Sequence, residues 1–176
     1  MLPKTAPAGN ADDHQGDSMF RLEPMDETTY GSWRARTVRL YAEEKVGAGN
    51  WPAEGAEERS EQEFQRLLPQ GRETPGQEIR AMVAAGELVG QAWFTIEQRD
   101  PGRVVFIYDI EVWEEHRRRG YGRLALGEIE AFARQRGCVG VMLHVFGNNT
   151  PARTLYRSAG FDETNVIMLK RVDAAS

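Results

Sequence analysis

The chain has 176 residues, 40% hydrophobic and 28% charged, which suits one soluble domain with a single core. Its net charge of −5 argues against a general polyphosphate or acidic-membrane binder, and no apolar run approaches the roughly 20 residues of a bilayer span. One cysteine, Cys138, excludes an internal disulfide and a thiolate metal cluster.

In chain order, residues 1–18 are rich in Pro, Ala, Gly, Asp and Asn and are expected to form a disordered extension, with a single domain over 19–176. No apolar leader core precedes that domain, so a cytoplasmic protein is expected. "FRLEPM" reads as a first strand, and Asp26 as the N-cap of a helix over 28–46 carrying Trp33, Val38, Leu40 and Tyr41. "GAGNWPAEG" breaks the pattern before a second helix over 55–68, whose glutamates read as a solvated face. "QEIRAMVA" and "ELVGQAWFTIEQ" flank a turn and form a hairpin, and "RVVFIYDIEV" is apolar enough for a central strand. A third helix follows, with Ala125, Ile129, Phe132 and Ala133 on one face and Gly137 at its end. "VGVMLHV" is a further strand. "NNTPARTLYRSAG" is a short capped helix, and "FDETNVIMLKRV" a last strand or pair of strands.

Between the apolar strand and the third helix lies "HRRRGYGRLAL". Gly120 and Gly122 let successive amide N–H groups turn into one concavity, and the helix start adds unpaired donors and a positive dipole end. Arg117, Arg118, Arg119 and Arg123 surround it with charge, so the stretch has the makings of a pyrophosphate site. No Gly-Lys-Ser/Thr follows, so it is not a Walker loop, and the third glycine of a dinucleotide fingerprint is missing. Two other readings stay open on this segment: a solvated helix start and a nucleic-acid patch. Arginines at a helix N-terminus oppose the dipole, which disfavours the first. The basic run is short and isolated, which disfavours the second.

With Arg117-Arg-Arg-Gly120-Tyr-Gly122 after a hydrophobic strand, followed by Asn149, Ala152, Leu155, Tyr156, Gly160 and Phe161, the chain resembles the Gcn5-related N-acetyltransferase (GNAT) superfamily. Within it, the chain is similar to an uncharacterised bacterial branch. The resemblance implies an α/β fold, a central twisted mixed sheet of six to seven strands flanked by about four helices. It implies acetyl-CoA as cosubstrate and no metal, with the cofactor between splayed parallel strands at 104–112 and 139–145. On that pattern Ile110, Glu111 and Val112 pair with the pantetheine arm and amides from Arg117 through Tyr121 to Gly122 hold the pyrophosphate. Asn149 contacts the pantetheine side. Glu114 stands where the family usually has proline. The implied reaction is direct transfer of an acetyl group to a small-molecule or peptide primary amine, with no nucleic acid or membrane partner. A homodimer stays open as a partner, and a CoA-binding sensor without catalysis is the alternative function.

Acetyl transfer to an amine needs a base, because an alkylamine is protonated at neutral pH. It also needs a donor for the developing oxyanion, for which the Val112 amide is suited. The departing thiolate needs a proton, and Tyr156 matches the family's usual acid. Asp109 and His144 are the leading candidates for the base, ahead of Glu111 and a water relay. Asp109 gains basicity if buried in its apolar strand. His144 has a suitable ordinary pKa, and it stands where some relatives carry a catalytic glutamate. Strand alternation sets Asp109 and Glu111 opposite Phe106, Tyr108 and Ile110 unless a bulge intervenes. His14, His116 and His144 lack metal-ligand spacing, and Cys138 has no activating base nearby in sequence. Trp33, Tyr41 and Trp51 are candidates for the acceptor pocket or for the core.

Overall fold

The computed structural model describes residues 20–168 and residue 170. The expected extension over 1–18 and the end of the expected last strand lie outside the described residues. The elements run β1 (Phe20–Pro24), α1 (Glu27–Gly47), α2 (Ala56–Leu67), β2 (Gln77–Ala84), β3 (Glu87–Gln98), β4 (Arg103–Val112), α3 (Tyr121–Gln135), β5 (Gly140–Leu143) and α4 (Thr150–Ser158). The strands form one sheet in the order β1-β2-β3-β4-β5. The first four are antiparallel, and β5 lies parallel to β4.

Local chemistry explains the boundaries. Asp26 Oδ1 accepts the Thr29 amide at 2.7 Å and so satisfies a free donor at the start of α1. Asn149 Oδ1 does the same for Ala152 at 3.2 Å on α4. A right-handed crossover is the rule for a parallel pair, and α3 supplies the connection from β4 to β5.

Two cores sit on opposite faces of the sheet. On one, α1 and α2 bring Tyr30, Trp33, Phe64 and Leu68 against Ile79 and Trp93. Trp33 meets Trp93 edge-on at 5.7 Å, and Trp93 stacks on Tyr108 at 4.6 Å; such pairs contribute about 0.5–1.5 kcal/mol each beyond area burial. Ser60, fully buried between α1 and α2, donates to the Val38 carbonyl at 2.7 Å and keeps its hydroxyl satisfied. On the other face Ala125, Leu126, Ile129 and Ala133 of α3 pack on Phe94, Val105 and Ile107. The helical face read from the sequence is therefore the buried one, with Leu126 added to it.

The sheet has five strands among the described residues, not six or seven. Residues 161–168 form no strand, and Val166, Ile167 and Met168 are 70%, 92% and 90% exposed. Their apolar pattern alone predicts pairing, but β5 receives no further neighbour from the described chain.

Candidate functional site

The site is built around an interruption in β4. Its pairing with β3 shifts register between Trp93 and Phe94, so Trp93 faces Asp109 while Phe94 faces Ile107. Tyr108 is the extra residue of this bulge. Before the bulge, Val105 and Ile107 face α3; beyond it, Ile110 and Val112 do. Tyr108 and Asp109 consequently both turn toward α1 and α2, where Tyr108 packs on Trp93 and Asp109 binds Trp33. Simple alternation, which separates Asp109 from Tyr108, is thus corrected by one inserted residue.

The same strand opens an edge. Pairing with β5 ends at Ile107 and Leu143, while β4 continues to Val112. The Trp113 amide donates to the Val89 carbonyl at 3.0 Å, so Val112, one residue earlier, points its amide and carbonyl away from β3. Those of Ile110 point the same way. Glu111, with the opposite parity, is turned toward Gln91 of β3 and does not offer its backbone to the edge. The expectation of three edge residues therefore reduces to two, because the period of a strand is two.

At the end of β4, Glu114–His116 form a single tight turn, and the chain then enters the arginine-rich loop. Arg118 and Gly120 have φ of +61° and +85°. Left-handed residues at alternate positions turn amides into one hollow. Among the described residues, the amides of Arg118, Arg119, Gly120, Tyr121 and Gly122 have no backbone partner, and α3 begins without a side-chain cap. A free amide nest and a helix N-terminus coincide here. Gly122 has a second task. A Cβ there would stand 2.9 Å from Leu155 Cδ2, the free end of a side chain on α4, so the leucine rests directly on the glycine.

A cleft of about 1090 Å³ joins these parts. Its lining includes Ile110, Glu111 and Val112 of β4, and Arg117, Arg118, Gly120, Tyr121, Gly122 and Arg123 of the loop and α3. Asn149 and Leu155 come from the α4 side, and Tyr41, Glu44 and Glu63 from α1 and α2. Asp109 lies in the cleft wall. The arginines divide their labour. Arg117 Nε donates to the Val112 carbonyl at 3.0 Å, and Arg123 Nη2 to the Ser158 carbonyl at the end of α4 at 2.7 Å. Arg119 donates to the Glu115 carbonyl at 3.2 Å and does not line the cleft. Tyr121 stacks on Phe20 at 5.9 Å.

Asp109 Oδ2 accepts from Trp33 Nε1 at 2.9 Å. Burial pushes its carboxyl pKa up to about 6, against the opposing bond from Trp33 and with help from the Glu111 charge. Glu111 is held by Arg36 at 2.7 Å and Gln91 at 2.8 Å, with Arg117 at 3.7 Å. Tyr156 is half-buried against Phe161; it does not itself line the cleft, although Ala152 and Leu155 on the same helix do. Burial pushes its hydroxyl up to about 12, with the Asp109 and Glu44 charges adding to the effect. His144 is exposed beyond the end of β5, its ring against Phe146 at 5.2 Å, and it does not line the cleft. Of the tryptophans, Trp33 is core, while Trp51 packs edge-on against Tyr41 outside the cleft. Cys138 is half-buried in a separate hollow at the edge of β5. Sequence reasoning missed Glu44, whose spacing from Thr37, Leu40 and Tyr41 was the available signal. Among the described residues no group of acidic, histidine or cysteine side chains has the arrangement of a metal site, and no helix is long and apolar enough to cross a membrane.

Comparison with known proteins gives a consistent picture. The profile of the acetyltransferase (GNAT) family matches residues 35–161. The uncharacterised N-acetyltransferase YycN of Bacillus subtilis is 40% identical over 152 residues, 86% of this chain and 97% of its own. The crystal structure of YycN superimposes with a TM-score of 0.82 at 38% identity, covering 88% of this chain and 99% of that one. The aminoglycoside N-acetyltransferase AAC(6')-Iy in complex with CoA shares the fold, with a TM-score of 0.57 at 19% identity over 88% of this chain and 95% of the other.

Proposed function

The chain belongs to the acetyltransferase (GNAT) family, and from that premise we propose that it transfers the acetyl group of acetyl-CoA to a primary amine by direct attack within one cleft. One observation carries this reading. The free edge of Ile110 and Val112 runs between a nest of unpartnered amides and the carboxylate of Asp109. The first feature suits a diphosphate, the edge suits an amide-bearing arm, and the last suits an amine.

Arg118, Gly120 and their neighbours bind the pyrophosphate through backbone donors, with arginine charge as surround. Val112 and Ile110 hold the pantetheine amides as a neighbouring strand would, and Asn149 bounds that arm from α4. Asp109 takes a proton from the acceptor ammonium, and the freed nitrogen lone pair attacks the thioester carbonyl carbon. The Val112 amide donates to the oxyanion that develops there. As the carbon–sulfur bond breaks, Tyr156 gives its proton to the thiolate, and the tyrosinate takes the second proton that the nitrogen sheds on becoming an amide; a hydroxyl held neutral by burial is the form that can start this exchange. Asp109 is the preferred base over His144, because only Asp109 lies in the cleft wall. A cleft wide enough for both substrates favours direct transfer, and Cys138 stands outside it.

The test is a panel of primary amines with release of free CoA thiol as the readout. Wild-type protein is expected to acetylate at least one amine, and Tyr156→Phe to lose turnover while retaining acetyl-CoA binding. A protein that binds acetyl-CoA but turns over no amine is a CoA sensor, and the proposal fails. A stable acyl-enzyme formed without acceptor would exclude direct attack.

A further inference from the structure

Gln91 of β3 is 4% exposed and uses both ends of its carboxamide. Its Nε2 donates to Glu111 Oε2 at 2.8 Å, and its Oε1 accepts from Trp113 Nε1 at 3.0 Å. Glu111 and Trp113 are the two neighbours of Val112, and strand alternation sends their side chains to the same face. Gln91 stands directly opposite Glu111 in the ladder. One buried, planar group therefore ties down the residues on either side of Val112, and a fully paired polar group in the interior is a rigid one. Other contacts close around the same place. Glu111 Oε1 accepts from Arg36 of α1 at 2.7 Å. Arg117 reaches back from the loop, its Nε donating to the Val112 carbonyl at 3.0 Å and its Nη2 lying 3.7 Å from Glu111 Oε1. A Cβ at Gly90, the ladder partner of Val112, would overlap the Glu111 carbonyl, so β3 backs β4 here without a gap. Beyond Ile107, β4 has lost its β5 neighbour, and these side-chain bonds supply the fixity that a second ladder gives elsewhere.

Resting on the N-acetyltransferase reading, we infer that Gln91 is a positioning residue for acetyl transfer: by holding Glu111 and Trp113 it aims the Val112 amide at the thioester carbonyl oxygen. Gln91 itself does not line the cleft. It exchanges no proton with either substrate, and its effect passes through the backbone of Val112. An oxyanion donor acts only from hydrogen-bonding distance of the developing charge, and a displacement of about 1 Å can cost on the order of a hundredfold in rate. The buried carboxamide keeps that distance fixed while the outer edge of the strand stays open to the cofactor.

The experiment compares wild type with Gln91→Met, which keeps the length of the side chain and removes both hydrogen bonds, and with Trp113→Phe, which frees one of them. With an amine that the wild type acetylates, Gln91→Met is expected to lower kcat by roughly ten- to a hundredfold. The Kd for CoA, held at the amide nest, is expected to stay unchanged. A merely destabilised fold loses CoA affinity and turnover together, and that result overturns the inference, as does an unchanged kcat. Trp113→Phe is expected to lower kcat by less, and the double variant by no more than Gln91→Met alone, because Trp113 acts through Gln91. Additive losses overturn that relay. A second readout needs no turnover. The Val112 amide, labelled with nitrogen-15 and assigned with Val112→Ile, is expected to move its proton resonance downfield when acetyl-CoA replaces CoA in the wild type, and to move less in Gln91→Met. Equal shifts, or none in the wild type, overturn the inference. If the wild type acetylates no amine, the N-acetyltransferase reading fails, while the amide shift still decides whether Gln91 positions Val112.

Discussion

Trp33 of α1 donates its indole N–H to the Asp109 carboxylate of β4 at 2.9 Å. A residue that serves the core thereby fixes the orientation of a side chain in the wall of the cleft. The bond also favours the charged form of a carboxyl that burial drives toward the neutral one. Trp33 is 4% exposed, so the core holds the donor in place.

Trp33→Phe removes the donor and keeps most of the packing. The Asp109 pKa is expected to rise further, so the acid limb of kcat/KM moves to higher pH. A stability loss of about 1–3 kcal/mol should accompany it, from the lost bond and the smaller ring. A pH–rate profile and urea unfolding measure the two effects.

Asp109→Asn is expected to reduce kcat by a factor of about 10²–10⁴ and to abolish the fall of kcat/KM below pH of about 6. The stability effect has the opposite sign. The folded carboxyl titrates near 6 and the ordinary value is 3.8, so the folded state binds the extra proton between those values. Stability therefore declines as pH rises through that window and stays low above it. Asparagine escapes this cost, and the variant is expected to be more stable at neutral pH by about 1–3 kcal/mol. Urea unfolding of both proteins at acidic and neutral pH checks the sign.

Gly120→Val is expected to weaken acetyl-CoA binding by more than tenfold, because a β-branched residue resists φ of +85°. Arg118→Ala is expected to cost only a few-fold, since its amide remains and its side chain is exposed. Calorimetry distinguishes the two, and equal losses would mean that charge outweighs backbone geometry in the cradle.

Gly122→Ala adds a Cβ 2.9 Å from Leu155 Cδ2. The atom it meets is the free end of a flexible, half-buried side chain, so the expected result is a rotamer change at Leu155 and a stability change within about 1 kcal/mol, with α4 and turnover little affected. Leu155→Ala in the same chain removes the contact. Thermal unfolding and amine turnover of the single and double variants measure the coupling.

Much of this was legible in the residues themselves. The glycines at 120 and 122, the run of arginines, the helix caps at Asp26 and Asn149 and the apolar face of α3 are local features, set by backbone conformation and by the period of a helix. Local patterns give the order of the elements and all of them but the strand expected after Gly160, and two motifs at the right separation point to the family. The expectation of a cofactor edge at residues 110–112 came from the resemblance, not from the period of the strand.

Other features depend on which residues meet across the fold. The bulge at Tyr108 is created by a register shift against Trp93, and only that shift brings Asp109 to Trp33. Glu44 and Asp109, 65 positions apart in the sequence, come to line one cleft only in the folded chain. Gly122, inside the first turn of α3, lies against the side chain of Leu155 on α4, a contact that no spacing reveals. The apolar residues at 166–168 carry a strand-like pattern, yet the pattern does not supply a partner. Composition and periodicity specify each segment's preference, since those energies are local. The charge environment of a carboxylate and the free edge of a strand are properties of contacts, and they come into being only when the chain has closed around them.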